Sequence, residues 1–125
     1  MVIYSGELMG GIGEGKLYIP LYQDSFRDSL GTRIHPDTIN LKVPEFDETF
    51  YFEKRIEISS PGSWFYPIHC IPIEIICGVS IYEDSYIILP RIKKNSKDVV
   101  QLISMHNVRG EKILSLGDKL GFEIK

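Results

Sequence analysis

The sequence contains no alanine. Alanine is the strongest helix former, whereas isoleucine, abundant here, is stiff at χ1 and favours strands. The absence argues against a helical bundle and predicts a mainly β fold. Cysteine is nearly missing too, with only Cys70 and Cys77. Their odd spacing sets them on opposite faces of a shared strand, which argues against a disulfide or a metal pair and fits a reduced, cytoplasmic setting. The opening "MVIYSGEL" lacks both a basic segment and a long apolar run, so neither a signal peptide nor a membrane span is expected there. Positive charge is not in excess. A net charge of −3 leaves no broad basic field for nucleic acid or an anionic membrane. Internal repeats, linkers and low-complexity tracts are also missing. The 125 residues are therefore expected to form a single domain, 1–125, with a real core, as a monomer.

What is present reads as short strands. Residues 2–9 alternate loosely as a first strand, and "KLYIPLY" (16–22) predicts a second, with Pro20 at an edge or bulge. In "YQDSFRDSLG", Tyr22, Phe26 and Leu30 recur at helical spacing, Asp24 or Ser25 can cap, and Gly31 can close a short helix. Strands are predicted for "TINLKV" (38–43) and "ETFYFEKRIEIS" (48–59), the latter with Phe50, Phe52, Ile56 and Ile58 on one face. The most apolar stretch, "WFYPIHCIPIEIICG" (64–78), holds Pro67 and Pro72, which forbid a continuous helix and predict a long, bent, buried strand. "VSIYEDSYIILP" (79–90) predicts a hairpin turning at Glu83-Asp84-Ser85. "SKDVVQLISM" (96–105) predicts a second helix with Val99, Leu102 and Ile103 inward, and a last strand follows the turn Gly117-Asp118. Many short strands with two peripheral helices suggest a closed barrel.

Two stretches carry candidate chemistry. "GGIGEGKL" (10–17) satisfies the P-loop spacing through Gly10, Gly15 and Lys16, but Leu17 stands where a hydroxyl should meet Mg²⁺. A P-loop also needs a parallel sheet and a helix directly after the loop, and "KLYIPLY" reads as a strand. The P-loop reading fails on both counts. The glycines are either a hairpin connection or a nest of N–H groups that lets bare backbone approach phosphate, with Lys16 adding a point charge. The second stretch is "HPDTIN" (35–40). Thr38 and Asn40, two apart at a strand start, project to one side and offer two hard oxygen donors suited to Mg²⁺. The same residues also suit a proline turn in which Asp37 or Thr38 caps a local N–H.

Taken in order, "GIGEGKLYIPLY", "YQDSFRDSLG" and "HPDTINL" resemble the archaeal CTP-dependent riboflavin kinases, and the apolar "PIEI" strand follows as in that family. The ending "LSLGDKLGFEI" is similar to the family's last strand, and the resemblance covers nearly the whole chain. It implies a six-stranded barrel of the cradle-loop kind that transfers the γ-phosphoryl of CTP to the 5′-hydroxyl of riboflavin, giving FMN and CDP with Mg²⁺ as cofactor. Gly11, Ile12, Gly13, Glu14, Gly15 and Lys16 then match the nucleotide loop, and Val108 and Arg109 a second nucleotide contact. Thr38 and Asn40 match the Mg²⁺ ligands. Glu14 and Asp37 are the carboxylates available as a general base, and neither is singled out.

The chain departs from the family at three positions. Asp37 replaces a usual glycine, and its carboxylate is a candidate for the metal shell. Lys93 and Gln101 stand where the family's flavin-binding Thr and Glu are expected, and a shift in alignment brings Ser96 and Asp98 there instead. These departures motivate a second reading, a non-catalytic nucleotide or flavin sensor. A third, a β-barrel DNA-binding regulator, shares the "L-x-x-GD" ending but is opposed by the negative charge and the long glycine loop. Trp64 reads as a barrel-end anchor with flavin stacking as the alternative, His69 as an interior residue, His35 and His106 as exposed loop residues, and the run 91–97 as a solvated loop or a phosphate contact.

Overall fold

A computed structural model describes residues 2–10, 15–63, 65–89 and 98–125. Gly11, Ile12, Gly13, Glu14, Trp64 and Lys93 therefore lie outside the described residues. The fold is mainly β, as the missing alanine predicts. Its strands are β1 (Ile3–Met9), β2 (Ile39–Lys42), β3 (Ile56–Ile58), β4 (Ile68–Cys77), β5 (Ser80–Leu89), β6 (Val99–Ser104) and β7 (Lys119–Ile124). They form one antiparallel sheet in the order β3-β4-β5-β6-β2-β1-β7, and β7 also pairs with β4. That last pairing closes six strands into a ring. The expected six-stranded closure is thus present, with β3 as a seventh strand laid against the first half of β4.

Alternation along these strands gives two cores. Leu8, Ile39, Leu41, Ile71, Ile73, Ile75, Val100, Leu102 and Phe122 fill the inside of the ring. On the outside, Cys70, Tyr86, Ile88 and Ile103 meet Ile19, Tyr22 and Phe26 from the helical segment that precedes β2, and Ile34 from the connection between that segment and β2. One end of the ring is stoppered by aromatic rings: Tyr4 meets Phe46 edge-on at 5.0 Å and stacks on Phe122 at 5.3 Å. The Tyr4 and Tyr51 hydroxyls are 2.5 Å apart, and this bond, with burial, pushes the Tyr4 phenol up to about 12.

Several expected elements differ from the structure, each for a physical reason. Residues 16–22 are not a strand: α1 (Gly15–Tyr18) and a 3₁₀ turn (Ile19–Tyr22) run directly into α2 (Gln23–Leu30). Pro20 sits in the first turn of the 3₁₀ segment, where its missing N–H costs nothing. Gly31 closes α2 at φ 76°, as expected. Residues Glu48–Lys54 are 3₁₀ rather than strand, started by Asp47, whose carboxylate accepts from the Thr49 N–H at 3.0 Å. Phe50 and Phe52 are accordingly exposed. The turn expected at 83–85 is instead at Gly78-Val79; Glu83 and Asp84 form a bulge opposite Glu74, with Asp84 at φ 53°. The helix expected over 96–105 is β6. It is buried on both faces, and such a strand has the same continuous apolar run as a helix.

The two thiols are free and face opposite cores, Cys70 the outer and Cys77 the inner. Burial pushes the Cys70 thiol from 9.0 up to about 12. An unfolded chain releases that proton from about pH 9, the folded chain only near 12, so the unfolded state binds fewer protons between these values and stability falls as pH rises. Cys70→Val is expected to flatten this alkaline decline. Urea midpoints at a series of pH values above 8 measure it, and an unchanged slope would refute the assignment.

Candidate functional site

The site forms at the end of the ring away from the aromatic stopper. β1 runs from Tyr4 in the stopper to Met9, which is opposite Asn40 of β2, and Asn40 is opposite Gln101 of β6. Directly paired residues share a face, so Met9, Asn40 and Gln101 lie together on the outside of the ring. Leu8, Leu41 and Val100, one residue along each strand, turn inward to the core. Thr38 precedes β2 by one residue and, by alternation, shares the outer side with Asn40.

The glycine-rich stretch and the Thr38 stretch meet here through Gly15 and Thr38, more than twenty residues apart in sequence. A Cβ on Gly15 would come within 2.6 Å of the Thr38 methyl and 3.2 Å of its hydroxyl oxygen. Only a hydrogen fits at that position, so the start of α1 rests on Thr38. Lys16 follows and lines an open cleft of about 650 Å³ together with Pro20, Asp37, Asn107, Arg109 and Leu114. His35, expected as an exposed loop residue, is half-buried and also lines the cleft. Its N–H donates to the Ser104 carbonyl at 2.8 Å, which ties the "HPDTIN" stretch to the end of β6.

Asn40 is 3% exposed, and its Oδ1 is fully buried without a hydrogen-bond donor among the described residues. Such an acceptor costs about 1–3 kcal/mol unless something completes it. A cation would do so, and Thr38, 7% exposed, supplies a second oxygen on the same side. The donor set fits a hard cation such as Mg²⁺. Among the described residues no group of three or more His, Cys, Asp or Glu side chains gathers, so a cation here would depend on neutral oxygens and on ligand phosphates.

Asp37 does not occupy the left-handed backbone region, so its carboxylate rather than its backbone conformation distinguishes it. One oxygen accepts from the Thr38 N–H at 2.9 Å, and the other is 3.9 Å from Arg109 Nε. Arg109 also donates to the Thr38 carbonyl at 3.4 Å. It is carried by α3 (Val108–Lys112), which Asn107 starts by accepting from the Gly110 N–H at 3.0 Å. Arg109 faces the cleft. Val108 is 1% exposed and packs in the inner core, which leaves only its main chain to meet a ligand.

The short helix beginning at Gly15 corrects one argument against a P-loop, since a helical turn does follow the glycines. The parallel sheet that a P-loop needs is not formed, since the pairings among the described strands are antiparallel throughout. Of the residues lining the cleft, Pro20 and Leu114 are the least visible in the sequence, and the available signal is Pro20 at a helix start.

Comparison with known proteins gives a consistent picture. The CTP-dependent riboflavin kinase family model, described as a domain of unknown function (DUF120), matches residues 8–124. A riboflavin kinase of Aeropyrum pernix is 30% identical over 129 residues, covering 98% of this chain and 95% of that protein. One from Sulfolobus acidocaldarius is 25% identical, covering 99% of this chain and 82% of its own length. One from Haloquadratum walsbyi is 28% identical over all of this chain but only 57% of its own length. No helix among the described residues is long and apolar enough to cross a membrane.

Proposed function

The chain belongs to the CTP-dependent riboflavin kinase family, and from that premise we propose that it transfers the γ-phosphoryl group of CTP to the 5′-hydroxyl of riboflavin in a Mg²⁺-dependent reaction. The observation that carries this reading is the meeting of Gly15 with Thr38 beside a cleft that holds Lys16 and Arg109. Phosphoryl transfer asks the protein for charge neutralisation and in-line positioning more than for covalent chemistry. Lys16 and Arg109 supply fixed positive charge, and Gly15, bare of Cβ, lets the start of α1 close onto Thr38. Gly11, Ile12, Gly13 and Glu14 would offer backbone N–H groups to the phosphates. Thr38 and Asn40 would hold the cation, which when bound neutralises phosphate charge and orients the transferring group. Gln101, which departs from the family pattern, pairs with Asn40 across β2 and β6 and would meet the acceptor from there.

The reading is tested by incubating the chain with riboflavin, Mg²⁺ and each nucleoside triphosphate in turn, with FMN followed by chromatography. FMN from CTP, lost on chelation, is the expected result. Equal turnover with ATP would remove the donor assignment. Tight binding of CTP or riboflavin without any turnover would favour the sensor reading instead.

A further inference from the structure

We propose that Asp37 makes the cleft select the cation-bound nucleoside triphosphate and reject the bare one. The inference rests on the phosphate-binding reading above. A cleft built only to attract anions would carry positive and neutral groups, yet here a carboxylate shares the lining with Lys16 and Arg109. That carboxylate cannot easily swing away. One oxygen holds the Thr38 N–H at 2.9 Å, and the other stands 3.9 Å from Arg109 Nε. Both side chains are partly shielded, with Asp37 24% and Arg109 36% exposed, so water screens the charges only in part.

Arg109 therefore has an anionic neighbour and a carbonyl, that of Thr38 at 3.4 Å. A bare triphosphate reaching for Arg109 must approach the same carboxylate, and like charges at close range repel. A triphosphate that already carries a divalent cation brings far less net negative charge and meets far less repulsion. It also brings the cation to Asn40 Oδ1, which has no donor among the described residues. Discrimination of this kind comes from the repulsive element, since attraction by Lys16 and Arg109 serves both forms of the ligand. Asp37 is thus a specificity-determining residue, acting before any chemistry begins.

The test is CTP binding to the full chain by titration calorimetry, without riboflavin, in Mg²⁺ and in a chelator. Asp37→Asn keeps an oxygen for the Thr38 N–H and removes the charge. It should tighten binding of bare CTP roughly tenfold and leave Mg²⁺-bound CTP nearly unchanged, so the ratio of the two dissociation constants falls by about that factor. Asp37→Ser, also neutral and also able to accept, should give the same ratio. A merely structural role would move both constants alike, and an unchanged ratio in both variants overturns the inference. If CTP binds the parent chain in neither condition, the phosphate-binding reading falls first, and this inference with it.

Discussion

Asn40→Ala is expected to reduce FMN formation by at least about 10²-fold while shifting unfolding free energy by no more than about 1 kcal/mol. The two halves of this expectation come from one atom. Asn40 Oδ1 is buried with no donor among the described residues, so the folded chain carries the cost of desolvating it and receives no bond in return. Removing the amide ends that cost, which offsets the small void left behind. A buried acceptor left without a donor is a place for a group from outside the chain, and the cation proposed above would complete it. A chemical-denaturation curve and a turnover assay on the same preparation give the answer. An active variant would dismiss the cation assignment, and a collapsed one would show Asn40 to be structural.

Gly15→Ala is the second large effect, and its reason is steric. The added methyl would meet the Thr38 methyl at 2.6 Å, a distance that real side chains do not tolerate, so the start of α1 must lift from Thr38. Misplacement of about 1 Å between reacting groups commonly lowers turnover by about 10²-fold, and a loss of that order is expected here. The specific check is rescue. Thr38→Ser keeps the hydroxyl and deletes the offending methyl, so Gly15→Ala combined with Thr38→Ser should recover much of the activity that Gly15→Ala alone loses. Additive losses in the double variant would mean that the Gly15–Thr38 contact is not what sets the site geometry.

Legibility in the sequence followed how local each signal was. Gly31 as a helix end and the Gly117-Asp118 turn depend on a few neighbouring residues, and both read correctly. The β class followed from composition. What failed were segments whose surroundings decide between strand and helix. Residues 16–22 alternate like a strand, yet Ile19, Tyr22 and Phe26 also recur at helical intervals, and burial of that stripe on the outer core decided the outcome. β6 failed in the opposite sense. Val100 and Leu102 serve the inner core and Ile103 the outer, so both faces are apolar and periodicity carries no information. Of the site, the residue types and their order were readable, and their convergence was not. Nothing local to "GEGKL" or "HPDTIN" states that Gly15 touches Thr38, or that Arg109 returns to the Thr38 carbonyl from a distant helix.

The double-layered packing has a consequence for how this protein fails under stress. Gly15 and Lys16 belong to a cover fastened through Ile19, Tyr22 and Phe26 to the outside of the sheet, whereas Asn40 belongs to the closed cycle of strands and Thr38 leads directly into it. These are separate fastenings, so mild heating can peel the first away while the second persists. Inactivation would then run ahead of melting, and amide protons beneath the cover would exchange early while those lacing β1, β2 and β7 stay protected.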